Sequence, residues 1–128
     1  MKNPLKTLLG KPGPRQRGER FEQSAAAYLK KQGLVLLQAN VHSRYGEIDL
    51  ICEDGEYMVF VEVRYQDSSS HGTPLETVTR SKQQKIHRTA QHFLQKNGLT
   101  NRMLCRFDVV GITGDIGNLE FQWIRNAF

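Results

Sequence analysis

Residues 44–65 constrain this chain more than any other stretch. Arg44 to Glu53 alternates in character, with Ile48, Leu50 and Cys52 on one side. Glu56 to Tyr65 alternates again, with Val59, Val61 and Val63 on one side. Between them stands Asp54-Gly55, a strong two-residue turn signal. A period of two fits a β-hairpin and cannot be satisfied by a helix. If Asp54-Gly55 is the whole loop, Glu53 pairs with Glu56, Asp49 faces Phe60 and Glu47 faces Glu62. Paired residues share a sheet face. The pairing therefore predicts that Glu47, Asp49 and Glu62 project from one side, with Arg64 beside them. Asp49 and Glu62 become diagonal neighbours. Any symmetric loop keeps this parity, and one extra residue would break it.

The placement of Glu62 is costly. It lies inside Val59-Phe60-Val61-Glu62-Val63, which reads as a central strand. A buried, unpaired carboxylate is strongly unfavourable, and an opposed like charge adds to the cost. A hard divalent cation such as Mg²⁺ relieves both penalties through oxygen ligands. The alternative is a surface cluster with Arg64 as its salt-bridge partner; the apolar flanks argue against it. Glu22 is a further candidate, since it borders an apolar helix stripe that can lie against the sheet.

The flanking segments complete an α+β pattern. Pro4, Pro12, Gly13 and Pro14 keep residues 1–15 out of regular helix, so these form a flexible basic arm, and residues 16–128 form a single domain. A helix is expected from about Arg17 to Gln32, its stripe made by Phe21, Ala25, Tyr28 and Leu29, its stop by Gly33. Leu34 to Val41 reads as a buried strand, and residues 66–76 as a loop. A second helix is expected over Thr79 to Asn97, with Ile86, Ala90, Phe93 and Leu94 inward. Arg102 to Ile112 is a strand, and Asn118 to Ile124 an edge strand. The order αβββαβ, with one added strand, predicts a mixed central sheet flanked by helices.

Charge distribution points to a partner. The formal net charge is +5. Residues 1–20 hold Lys2, Lys6, Lys11, Arg15, Arg17 and Arg20 against Glu19 alone, so this N-terminal stretch accounts for the whole excess. Residues 77–107 contain Arg80, Lys82, Lys85, Arg88, Lys96, Arg102 and Arg106 without an acid. Lys82, Lys85, Arg88, His92 and Lys96 recur at helical spacing as one stripe. Such runs can simply solvate a surface. Combined with an acidic zone at residues 44–62, they favour nucleic acid, whose phosphates the zone would repel without a cation. Several classes are excluded. The apolar run Leu34–Leu37 is far too short for a membrane span. The N-terminus lacks a signal-peptide core. Cys52 and Cys105 form no C-x-x-C pair, and no H-E-x-x-H or G-x-S-x-G motif occurs. A reduced, cytoplasmic protein is the expectation.

Gly46-Glu47-Ile48-Asp49-Leu50-Ile51 followed by Val59-Phe60-Val61-Glu62-Val63-Arg64 resembles the YraN family of predicted endonucleases, which look like archaeal Holliday junction resolvases. Glu22, Ala25 and Tyr28-Leu29, then Lys82-Gln83, then Arg106-Phe107-Asp108-Val109-Val110 extend the likeness. The resemblance implies a restriction-endonuclease-like fold with an αβββαβ core and a PD-(D/E)xK-type site. Asp49 and Glu62, with the Val63 carbonyl, would hold Mg²⁺ or Mn²⁺, and Glu22 would be the acid supplied by the first helix. Lys82, Lys85, Arg88 and Lys96 would bind substrate, with DNA the expected partner. Junction-cleaving relatives act as dimers, which implies a homodimer. The family's lysine falls on Arg64. An arginine cannot act as a general base, yet it can clamp a phosphate. Lys82 or Lys85 can supply a lysine instead. The alternative is a non-catalytic or partner-dependent nucleic-acid-binding module on the same fold.

Overall fold

The computed structural model describes residues 16–67, 72–115 and 117–128. The basic arm, residues 1–15, lies outside them. The elements run α1 (Gln16–Lys31), β1 (Val35–Ser43), β2 (Gly46–Asp54), β3 (Tyr57–Tyr65), a 3₁₀ turn (Pro74–Thr77), α2 (Arg80–Lys96), β4 (Leu104–Asp115) and β5 (Asn118–Ile124). The five strands form one mixed sheet in the order β1-β2-β3-β4-β5. Only β3 and β4 pair in parallel, and α2 makes the crossover between them. This is the α+β core expected from the sequence, with a helix on each face.

Each helix is held where its stripe dictates. Phe21, Ala25, Ala26 and Leu29 of α1 pack on Leu50, Cys52, Val59, Val61, Val110 and Ile112. Ile86 and Ala90 of α2 pack on Ile48, Ile51, Met58, Phe60 and Val109 across the sheet. Gly33 adopts φ of 101° and closes α1 in a Schellman motif, its N–H donating to Lys30 and that of Leu34 to Leu29. Thr79 caps α2 by accepting from the Lys82 N–H.

Two expectations for the first strands are corrected. Strand β1 is an edge strand with alternating exposure, not a buried one; Val35 is 55% exposed. The hairpin loop is Gly55-Glu56, because Asp54 pairs with Tyr57 and Ile51 with Phe60. Gly55 has φ of 60°, so it takes the first loop position, as in a type II′ turn. The one-residue slide on each strand leaves parity intact. It moves Asp49 away from Phe60 and Glu47 away from Glu62, and puts Asp49 level with Glu62.

A third correction matters more. Leu50 and Cys52 face α1, whereas Ile48 faces α2. On β1, Ala39 faces α1 and Val41 faces α2. Both strands therefore exchange faces at the rung between Ala39↔Leu50 and Val41↔Ile48. That rung holds Asn40, in a left-handed conformation with φ of 53°, and Asp49. Asn is among the few non-glycine residues that adopt it at low cost.

The likeness over Arg106 to Val110 proves to contain a structural ion pair. Asp108 is fully buried. It accepts from Arg106 Nε at 3.0 Å and Nη2 at 3.0 Å, from Trp123 Nε1 at 2.9 Å and from the Asn126 N–H at 2.9 Å. Arg106 also reaches Asp54 at 2.9 Å, tying the hairpin end to β4 and β5. Removing one member of such a network strands the others. Asp108→Ala should cost about 3–5 kcal/mol in urea unfolding; a loss below about 1 kcal/mol would show the network to be dispensable.

Candidate active site

The sheet opens beside Asp49. Pairing of β2 with β3 ends at Leu50↔Val61. Beyond it the Val63 N–H donates to Asp49 Oδ2 at 2.8 Å. A side-chain carboxylate thus takes a donor that a continuing ladder would have used. The parted strands leave a cleft of about 230 Å³ lined by Glu22, Asp49, Glu62, Val63, Arg64 and Lys82, among others.

Three carboxylates meet there. Glu62 is only 3% exposed. Burial first, then the neighbouring Asp49 charge, pushes its carboxyl up to about 8. Glu22 reaches the same point from α1. Burial and Asp49 push it to about 8 as well, against a hydrogen bond from Asn40 that favours its charged form. Its Oε2 is buried and has no hydrogen-bond partner. Asp49 is therefore the common neighbour of both glutamates. The reversed rung explains this: Asn40 and Asp49 turn their side chains toward α1, where Glu22 lies.

Two cations answer Glu62 from the other side. Arg64 Nη1 and Lys82 Nζ each lie 3.7 Å from Glu62 Oε2. Arg64 is pinned by Thr77, which accepts from Nε at 2.9 Å through its hydroxyl and from Nη2 at 3.3 Å through its carbonyl. The Thr77 hydroxyl in turn donates to the Pro74 carbonyl at 2.6 Å. The 3₁₀ turn can sit this close because Gly111 pairs with Arg64 across β3 and β4. A Cβ at Gly111 would lie 2.1 Å from Pro74 Cγ.

The other expected residues divide. Glu47 does not join Glu62. It sits 3.3 Å from His42 Nδ1, at a neighbouring cleft of about 470 Å³ that Glu19, Glu22, Asn40 and Asp49 also line. Of the basic stripe, only Lys82 reaches the carboxylates. Lys85, Arg88 and Lys96 are exposed farther along α2. Thr77, Asn40 and Gly111 escaped sequence reasoning. Asn40 and Gly111 carried faint signals, as an Asn and a Gly within strands; Thr77 carried none.

The donor set suits a hard cation. It offers carboxylate oxygens, with one buried Glu22 oxygen lacking a partner. Among the described residues, no three His, Cys, Asp or Glu side chains are grouped so that they could hold a metal ion by themselves. Mg²⁺ requires no such group, since it commonly binds one or two carboxylates and keeps its waters. No helix among the described residues is long and apolar enough to cross a membrane.

Comparison with known proteins places this geometry in a wider set. The model of the uncharacterised protein family UPF0102 matches residues 21–112. A UPF0102 protein of Chromohalobacter salexigens is 50% identical over 114 residues, covering 89% of this chain and 91% of its own. One of Nitrosococcus oceani is 47% identical over 114 residues, covering 89% and 92%. Another, of Enterobacter sp. strain 638, is 43% identical over 120 residues, covering 93% and 88%.

The raised glutamates set a pH dependence in metal-free protein. The native state keeps protons up to about 8 that the unfolded chain releases near 4.5. The stability this contributes is complete below the unfolded value and is lost as pH rises through the folded one. Unfolding free energy should therefore fall between about pH 5 and pH 8, and Glu62→Gln should flatten that fall. Identical pH profiles for the two proteins would contradict the assignment.

Proposed function

The chain belongs to the uncharacterised protein family UPF0102, the YraN family that its Gly46–Ile51 and Val59–Arg64 motifs resemble, and we propose that it is a metal-dependent endonuclease that hydrolyses phosphodiester bonds in DNA. One observation carries the reading. Buried Glu62 and half-buried Glu22, whose Oε2 is buried without a partner, crowd Asp49 at a gap in the sheet, and two cations border it. This is an expensive arrangement with no evident structural return, and such perturbed groups cluster at functional sites.

In this reading Asp49, Glu62 and the Val63 carbonyl hold Mg²⁺ or Mn²⁺, with Glu22 as the supporting acid from α1. When bound, the ion supplies Lewis acidity toward a phosphoryl oxygen and acidifies a coordinated water. The Val63 N–H fixes the orientation of the Asp49 carboxylate. Arg64, held by Thr77, would present a fixed guanidinium to a non-bridging phosphate oxygen. Lys82, whose Nζ lies 3.7 Å from Glu62, would orient the attacking water, which Arg64 cannot deprotonate. Lys85, Arg88 and Lys96 continue the positive charge along α2 for flanking phosphates, so binding weakens steeply with salt. Symmetric cutting of a branched substrate requires two copies, and a homodimer belongs to the reading.

A second reading has its own support. Arg64 stands in the lysine's place and spends its donors on Thr77. The fold can then bind DNA without cutting it, alone or until a partner completes the site.

A time course on branched and linear DNA with Mg²⁺ or Mn²⁺ separates the two. Wild type should cleave. Asp49→Ala and Glu62→Ala should abolish cleavage, and Lys82→Ala should slow it by about 10²-fold or more. Metal-independent binding without cutting, equal in all four proteins, would favour the binding module.

A further inference from the structure

The turn between β1 and β2 carries a cluster that the carboxylate site does not use. Ser43 accepts the Tyr45 N–H at 3.0 Å, which tightens the turn. Ser43 also lies 3.4 Å from the fully buried Thr89 hydroxyl, which donates to the Lys85 carbonyl at 2.8 Å. A Cβ at Gly46 would lie 3.4 Å from Lys85 Cβ and 3.5 Å from Thr89 Oγ1, so the turn rests directly on α2. The platform is rigid, yet its outer residues are not core. Arg44 is exposed and lies over the half-buried Tyr45 ring, 4.9 Å from its centre, with Nη2 donating to the phenol at 2.7 Å. The edge of exposed His92 meets that ring at 5.9 Å. Lys85 and Arg88 are exposed on the same helix.

Position gives this cluster its meaning. Lys82 touches Glu62 at one end of the helix face, and His92 touches Tyr45 at the other. Ten helical residues separate them, about 15 Å. That is roughly four stacked nucleotides at about 3.4 Å each. An aromatic ring with an arginine over it, on a braced turn beside a basic helix, matches the chemistry of single-strand binding, where a base stacks and phosphates pair with basic side chains.

We propose that Arg44 and Tyr45, backed by His92, form a second binding point that takes an unpaired nucleotide of the strand held at the carboxylates. The proposal rests on the nucleic-acid reading above and adds a preference for strands with unpaired bases near the cut. It makes the β1–β2 turn a specificity element: the carboxylates act on a phosphate, and the turn selects what lies about four nucleotides away.

Fluorescence anisotropy with the full-length chain, a labelled single-stranded 12-nucleotide DNA and its duplex, with Ca²⁺ present to neutralise the acidic zone, tests it. Tyr45→Ala should weaken single-strand binding about tenfold, within the range of lost base stacking, and duplex binding less than about twofold. Tyr45→Phe should bind as wild type, since the ring remains. Arg44→Ala should weaken both and lower the salt slope by about one. Unchanged thermal midpoints verify the fold. Wild-type affinity in Tyr45→Ala, or equal losses on both DNAs, overturns this proposal and leaves the endonuclease reading standing. Failure of wild type to bind either DNA overturns both.

Discussion

Asp49 accepts the Val63 N–H at the rung where two central strands stop pairing, and much of the molecule follows from that contact. A carboxylate satisfies a backbone donor that the ladder abandons, so the strands can part without an orphaned N–H. The parting makes a cleft in a sheet that carries a helix on each face. It also fixes a negative charge beside Glu62 and within reach of Glu22. Burial and that charge together hold both glutamates protonated far above their ordinary range. The site therefore stores an electrostatic conflict that protons relieve only in part, and Arg64 and Lys82 line its rim.

The second buried acid in the sheet shows what a purely structural carboxylate looks like. Asp108 is sealed from solvent, but two arginine nitrogens, an indole N–H and a backbone N–H converge on it. Its charge is matched and its oxygens are occupied. Glu22 differs on both counts, with a buried oxygen that has no partner and a like charge next to it. One fold thus contains a satisfied acid and an unsatisfied group of acids, with Asp108 and Glu62 on adjacent strands. The contrast supports reading the second as a site shaped for a ligand. Gly111 links them to the loop above: its missing side chain admits Pro74, and the same turn delivers Thr77 to Arg64.

Much of this was legible in the sequence because alternation and helical spacing are strong local signals. The hairpin, both helices and the edge strand at Asn118–Ile124 could be placed within a few residues. Face parity alone brought Asp49, Glu62 and Arg64 together, and it survived a slide of the turn because the loop remained two residues long. What stayed hidden was non-local. Alternation cannot report a face reversal, so Ile48 was grouped with Leu50 although Asn40 and Asp49 turn the strands between them. Glu47 was placed with Glu62 by the same rule and instead meets His42. The pinning of Arg64 depends on a turn ten residues away and on a glycine in another strand. Tyr45 and His92 are distant in sequence, and the helical stripe that includes His92 gives no sign of its contact with Tyr45.

The central claim is that the buried carboxylates trade protons for a divalent cation. Calorimetric titration of Mn²⁺ into the metal-free protein near neutral pH, repeated in buffers of different ionisation enthalpy, measures this directly. Binding should release about one to two protons per ion, because ligands must deprotonate to coordinate, and Asp49→Ala should abolish both heat and release. No Mn²⁺ binding by wild type, or the same binding and proton count in Asp49→Ala, would contradict the account.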